Sequence, residues 1–412
     1  MIDATTPAAS PADAAATAAA TSTAAAISTA AAISTAAVTA TPPSAMRYSP
    51  LHGIHEQLGA AFTDFAGWMM PVRYSSDLAE HHAVRTAAGI FDISHMAEIH
   101  VRGADAGAYL DFALAGKLSA MALAQAKYSL ILNETGGIID DLVAYRLADD
   151  HFLVVANAGN RFAAATALSE RAKGFDVTVT DESDDYALIA VQGPVSRAIL
   201  EATAGLGDFA TPLDELKYYR ETAATFIGHD LIIARTGYTG EDGFELYIQV
   251  DAAADLWAAL TVAGEPLGLV PAGLACRDTL RLEAGMPLYG HELGLTTFPV
   301  QAGLGRVVAL SKEGDFVGRA AIEAGPDAGA RVLVGLAAEG RRAGRADYAI
   351  YHGDTEVGVI TSGALSPTLG HPIAMAYVDA DVSDVGTELH LDVRGSRIAA
   401  SVISLPFYKR EA

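Results

Sequence analysis

The stretch NETGGIIDDLVAYRL, residues 133–147, sets two aspartates side by side in a run that otherwise reads as a buried strand. Successive side chains of a strand point to opposite faces of its sheet, so Asp140 and Asp141 cannot form a dyad. Asp141 shares its face with Ile139, Val143, Tyr145 and Leu147. Asp140 shares the other with Ile138, Leu142, Ala144 and Arg146, which reads as the more water-tolerant set. A carboxylate on an apolar face is costly to ionise unless something hydrogen-bonds or neutralises it, and its pKa is open to tuning, as a catalytic carboxylate requires. The alternative is a pair of hydrated aspartates flanking a hairpin turn at Gly136 and Gly137.

A second carboxylate stands out in FELYIQV, where Phe244, Leu246, Ile248 and Val250 form a core face and leave Glu245 and Tyr247 on the other. Glu245 is either a solvated outer residue or an acceptor of paired hydrogen bonds from a planar ligand with N–H donors. The block GLACRDTLRLEAGMPLYGHEL, residues 273–293, places Arg277 and Arg281 four residues apart on one helix face, with Asp278 and Glu283 close by. That is a surface salt-bridge network or the flank of a pocket, and the abrupt turn at residues 286–290 reads as a pocket wall. The glycines of TGYTGEDG precede a strand instead of opening a helix, and Glu241 and Asp242 repel phosphate, which argues against nucleotide binding. His81, His82, His95 and His291 lack ligand spacing, so no metal is expected. The lone cysteine, Cys276, has no neighbouring histidine motif to activate it and reads as a small buried hydrophobe.

These groups need elements to hold them. The chain has 412 residues and a formal net charge of −23. Residues 1–45 are almost wholly Ala, Thr, Ser and Pro, repeat ISTAA and contain no Lys or Arg, so a disordered tail is expected there and neither a targeting peptide nor a membrane span. The rest is strongly acidic, which disfavours nucleic acid as a partner. One cysteine excludes an internal disulfide and multi-cysteine metal centres, and the chain reads as soluble and cytoplasmic. The run EGRRAGRADY, with Arg341, Arg342 and Arg345, is the one basic cluster: a wet loop or a docking point for an acidic partner.

From Met46, helix and strand patterns interleave. Asp77 followed by Glu80 resembles a capping box opening a helix through HHAVRTAA, with Gly89 at its C-terminal cap. FDISHMAEIHV reads as one strand, with Phe91, Ile93, Ile99 and Val101 on one face. Further strands fall at YALIAVQ, HDLIIAR and FELYIQV, and helices at VSRAILEATAG and AAADLWAALTVAG. This mixture argues for an α+β body, not a doubly wound parallel sheet. After about Gly325 six short glycine-separated strands predict a C-terminal β-barrel or sandwich.

Taken together, LHGIHEQLGA with DFAGWMMPVRY, GIFDISHM, YSLILNETGGIIDDLVAY, QGP, RTGYTGEDGFELY, GLACRDTLRLEAGMPLYGHEL, ITSGALSPTLGHPIAMAYV and PFYK resemble the aminomethyltransferase family, the T-protein of the glycine cleavage system. The resemblance runs from about Ser49 to Lys409. It implies three domains in a cloverleaf around a central folate cavity: two interleaved α+β domains over 46–310 and a β-barrel over 326–412. It implies transfer of the methylene of an aminomethyl group, borne by the lipoyl arm of H-protein, to tetrahydrofolate with release of ammonia. Asp141 matches the family's essential aspartate, and Glu245 would hold the amino and N–H edge of the pterin. Tyr128, Tyr145, Asn157 and Met96 would line the folate pocket, Arg277 would sit beside it, and Tyr289 would form its wall. Expected partners are lipoylated H-protein and tetrahydrofolate, with no metal, nucleic acid or membrane. Folate-dependent demethylases are the nearest enzymatic alternative, and a non-catalytic folate-binding protein the alternative of another class.

Overall fold

The structure, a computed structural model, describes residues 45–410; the Ala/Thr-rich segment 1–44, expected to be disordered, lies outside them. Two sheets form the body. One has five antiparallel strands in the order Ala126–Leu132, Ile138–Ala148, His151–Ala156, Ala97–Arg102, Thr178–Asp181. The other has seven, in the order Leu206–Gly207, Glu221–Phe226, His229–Ala234, Gly243–Gln249, Tyr186–Gln192, Ala88–Asp92, Leu269–Pro271. Its last pair alone is parallel. A three-stranded sheet built on Trp68–Arg73 flanks them.

Alternation explains the layering. In Gly243–Gln249, Phe244, Leu246 and Ile248 pack with Leu256, Trp257 and Leu260 of the helix Ala253–Gly264. Leu142, Ala144, Val154 and Ala156 pack with Tyr109 and Leu168 from the helices Ala106–Ala113 and Arg161–Arg171. The opposite faces meet each other, since Tyr145, Leu153 and Val155 share a cluster with Leu188, Ala190 and Tyr247. Each sheet therefore carries helices outside and faces its partner inside, an arrangement that leaves room for a cavity between them.

Residues 332–403 form a closed six-stranded antiparallel barrel, the strand Ser396–Ile403 pairing with Val332–Ala338 to close it. The barrel is the closed form of the two β architectures expected there.

Two local expectations are corrected. The run FDISHMAEIHV is two strands in different sheets, Ala88–Asp92 and Ala97–Arg102, joined by a turn. The helix Asp77–Thr86 is capped by Ser76, whose Oγ accepts from the Ala79 N–H at 3.4 Å, and Gly89 lies in the strand beyond. Glu80 does not close a capping box. Its carboxylate accepts from the N–H groups of Tyr74 and Ser75, at 2.8 and 2.9 Å, and from that of Gly273 at 3.0 Å, tying this helix to the start of the helix Leu274–Glu283.

Candidate active site

Between the two sheets lies a cavity of about 330 Å³. The five-stranded sheet supplies Tyr128, Asp141, Val143 and Tyr145 to its wall, and the seven-stranded sheet Leu188, Glu245 and Tyr247. The loop at 236–238, the helix residue Arg277 and the turn at 285–287 complete it.

Asp141 reaches the cavity because of a hairpin. Asn133 Oδ1 accepts from the N–H groups of Thr135 and Gly137, at 3.0 and 2.8 Å, and fixes the turn. A bulge follows: Leu132 pairs with Ile138 and Ile131 with Asp140, so Ile139 has no cross-strand partner. The Tyr128 hydroxyl donates to Asp141 Oδ2 and Asn157 Nδ2 to Asp141 Oδ1, each at 2.9 Å. Burial pushes this carboxyl above the usual carboxylate range, and those two hydrogen bonds oppose the rise.

The water-tolerant face assigned to Asp140 is corrected. Asp140 is 0% exposed, on the face that packs Leu142 and Ala144 against the helices. Its carboxylate accepts from the Asn157 N–H and Nδ2, both at 2.9 Å, and from Asn160 Nδ2 at 2.6 Å. Residue type suggested a wet face because the asparagines that satisfy Asp140 lie far along the chain.

Glu245 also faces the cavity instead of bulk solvent. Thr236 Oγ1 donates to its Oε2 at 2.6 Å, Tyr145 Oη lies 3.1 Å from Thr236 Oγ1, and the Tyr247 hydroxyl donates to Tyr145 Oη at 3.0 Å. Because each hydroxyl has one proton, the chain runs one way, from Tyr247 through Tyr145 and Thr236 to Glu245. Burial raises the Glu245 pKa, with the Thr236 bond and the Arg277 charge opposing it. The glycines of TGYTGEDG have a packing reason: a Cβ at Gly237 or Gly243 would lie 2.0 or 2.4 Å from the Gln192 side chain. Gln192 in turn donates to the Thr236 carbonyl at 3.0 Å and pins the loop.

Arg277 lies 5.1 Å over the Tyr238 ring, and its Nη1 is buried with no hydrogen-bond partner among the described residues. Met96, Asn157, Tyr238 and Arg277 also line an adjoining pocket of about 110 Å³ with His95 and His291. Tyr289 lines this smaller pocket and not the main cavity, its hydroxyl donating to the Ile138 carbonyl at 3.3 Å. The structure thus gathers Asp141, Glu245, Tyr128, Tyr145, Asn157, Arg277 and Met96 around one cavity and leaves Tyr289 next door.

Sequence reasoning passed over Thr236, Tyr219 and Tyr238, which also line the cavity. TGYTGEDG holds two of them, but its glycines pointed toward phosphate. Tyr219 adopts a left-handed backbone, φ 59°, a conformation no periodicity reveals. Among the described residues no cluster of three or more His, Cys, Asp or Glu could hold a metal ion, and no helix is long and apolar enough to cross a membrane.

Comparison with known proteins gives consistent matches. Residues 51–312 match the family model described as GCVT N-terminal domain, and residues 331–409 the glycine cleavage T-protein C-terminal barrel domain. An aminomethyltransferase of Cutibacterium acnes is 60% identical over 370 residues, covering 89% of this chain and 100% of that protein. One from Streptomyces avermitilis is 54% identical over 376 residues, covering 89% of this chain and 99% of that protein. The crystal structure of glycine cleavage system aminomethyltransferase T from Bartonella henselae superposes with a TM-score of 0.80 at 38% identity, covering 89% of this chain and 99% of that one. The chain belongs to the aminomethyltransferase family, the T-proteins of the glycine cleavage system.

Proposed function

We propose that the cavity between the sheets is where this chain binds tetrahydrofolate and that Asp141 is its catalytic group. The chain is an aminomethyltransferase of the glycine cleavage system. The observation that carries the site assignment is a set of buried polar groups with capacity left over. A single Thr236 bond uses a fraction of the acceptor capacity of Glu245, and Arg277 Nη1 is a buried donor without a partner among the described residues. Such groups suit a planar ligand that offers N–H donors to Glu245 and an acceptor to Arg277, and the aromatic walls of Tyr128, Tyr145, Tyr219 and Tyr238 suit its rings. The cloverleaf arrangement of domains, with boundaries near 46–310 and 326–412, belongs to the same proposal.

Tetrahydrofolate supplies two nitrogens as nucleophiles. The carbon they receive gains two C–N bonds and loses its bonds to the lipoyl sulfur and to the amino nitrogen. The two N–H protons leave with the dihydrolipoyl thiol and with ammonia, so atoms balance. In that exchange Asp141 orients the attacking amine and stabilises the positive charge that develops on it. Glu245 holds the amino and N–H edge, with Tyr145 and Thr236 fixing its orientation, and Asn157, Met96 and Tyr128 shape the pocket. The enclosing walls limit loss of a formaldehyde equivalent to water. The aminomethyl donor is the lipoylated H-protein, and the exposed arginines 341, 342 and 345 offer an acidic carrier a cationic surface.

The test is ammonia release from aminomethylated H-protein with and without tetrahydrofolate. Folate-stimulated release is expected; no release with any carrier, despite measurable folate binding, would move the assignment to a demethylase or a binding protein.

A further inference from the structure

We propose that Asp140 is a positioning residue that fixes the Asn157 side chain and through it the Asp141 carboxylate. The proposal rests on the assignment of Asp141 as the catalytic group.

The geometry is a bridge across the sheet. Asp140 and Asp141 point to opposite faces, yet one amide touches both: Asn157 Nδ2 lies 2.9 Å from Asp140 Oδ1, from Asp141 Oδ1 and from the Asp141 carbonyl. Asp140 anchors that amide at a second point through the Asn157 N–H, so neither the backbone nor the side chain of Asn157 is free to turn. Asn160 adds the third donor and immediately precedes the helix Arg161–Arg171. These three N–H donors oppose the rise in the Asp140 pKa that burial and the Asp141 charge cause. Asp140 Oδ1 and the Asp141 carbonyl, both accepting from Asn157 Nδ2, set the amide so that its nitrogen, and not its oxygen, faces the Asp141 carboxylate.

A purely structural account of Asp140 explains less. Accepting from the one backbone N–H of Asn157 requires one neutral acceptor, which Asn or Ser supplies. A fully buried carboxyl one residue from another raises the free energy of ionising both, and burial together with the Asp141 charge pushes the Asp140 pKa up. The arrangement loses stability that a neutral residue would keep, and in exchange holds one of the two side-chain donors of Asp141 in place.

In Asp140→Asn the new NH₂ must face either the Asn157 N–H or the two side-chain amides, so one of the two points that anchor Asn157 becomes repulsive and the second donor of Asp141 is displaced. Steady-state ammonia release should show kcat lowered about 10- to 100-fold, the size expected when a reacting group is displaced by about 1 Å. The KM for tetrahydrofolate should change by less than roughly threefold, since the lost interaction acts on the chemical step. Asn157→Ala should lower kcat similarly, and the double variant should fall no further than the lower single one. A merely structural role would instead lower the melting temperature while kcat per folded molecule and the split between kcat and KM stay unchanged.

Asp141→Asn is the control that separates the two claims. If Asp141→Asn is inactive and Asp140→Asn keeps wild-type kcat, the positioning role is overturned and the catalytic assignment survives. Additive losses in the double variant overturn the proposal too, because independent residues add. Full activity in Asp141→Asn defeats the underlying assignment instead. Should Asp140→Asn fail to fold, Asn157→Ala decides alone: it removes the bridge and keeps both carboxyls, and unchanged kcat overturns the proposal.

Discussion

The helix Leu274–Glu283 serves two polar networks that differ in how completely they are answered. Toward the barrel, Glu283 accepts from Arg85 Nη2 and Nε at 2.7 and 3.1 Å, from Thr368 Oγ1 and N–H at 2.8 and 3.0 Å, and from Ser366 Oγ. Arg281, also buried, donates to Asp278 at 2.8 Å, to Glu292 at 3.1 Å and to Ser362 of the barrel at 2.7 Å. Toward the cavity, one turn earlier on the same helix, Arg277 keeps a buried N–H without a partner among the described residues. The first network spends most of its hydrogen-bonding capacity on the protein and clamps barrel to body, although Glu292 Oε1 is buried without a partner among the described residues. The second holds capacity in reserve, which is what the proposed binding of a ligand there requires. Spacing in the sequence brings out both arginines alike, and only the partners separate their roles.

The sharpest way to break this comparison is Asp141→Asn, for which folate-stimulated ammonia release should fall about 10²- to 10⁴-fold, the range of a lost acid–base or charge-stabilising group. Retained activity would show that the open network is not catalytic. The next largest effect belongs to the clamp. Glu283→Gln takes one of two buried countercharges from Arg85, leaving Glu241, and should cost about 1–3 kcal/mol in denaturant unfolding, as for a buried polar group left unsatisfied.

Acid sharpens the same contrast. Burial alone would raise the Glu283 pKa, but hydrogen bonds from His81, Ser366 and Arg85 bring it down to about 2. The group is depressed, so its contribution is complete above the ordinary carboxylate pKa near ~4.3 and is lost as pH falls toward about 2. Wild-type unfolding free energy should drop more steeply than that of Glu283→Gln across this window, and parallel curves would refute the role of the clamp. A smaller effect is expected at the surface. Replacing Arg341, Arg342 and Arg345 by Glu should raise the KM for aminomethylated H-protein by roughly three- to tenfold at low salt, with the KM for folate unchanged. Identical KM values would remove this loop from the docking surface.

Much of the architecture was legible in residue pattern. The strands Tyr186–Gln192 and Gly243–Gln249 read as strands from apolar residues between turn signals, and each sends alternate side chains to helices on one face and to the opposite sheet on the other. The barrel strands are short and bounded by glycines, which marks their turns. FDISHMAEIHV defeated the same reasoning because its alternation, with Asp92, Ser94, Glu98 and His100 opposite the apolar face, runs in phase through a turn that no glycine or proline marks. At the site, alternation put Glu245 opposite the core face of Phe244, Leu246 and Ile248 with solvent and ligand both open, and the inward direction of Asp141 followed from Ile139 and Val143 on its own face. Asp140 did not, because its satisfaction comes from Asn157 and Asn160, about 20 residues on, and no local pattern predicts a partner across a sheet. Tyr289 missed the main cavity for a related reason: the turn that carries it has no period by which to orient a side chain.

The most direct test of the comparison measures two quantities on two variants: equilibrium tetrahydrofolate binding and melting temperature for Glu245→Gln and Arg85→Met. Glu245→Gln should weaken folate binding by about 10- to 100-fold, as for a lost charged hydrogen bond, while melting near the wild-type temperature. Arg85→Met should bind folate as wild type does at a temperature where it is folded, and melt several degrees lower. The opposite pattern, with folate affinity lost through Arg85 and stability lost through Glu245, would contradict the division between a clamp that holds the fold and a cavity that holds the ligand.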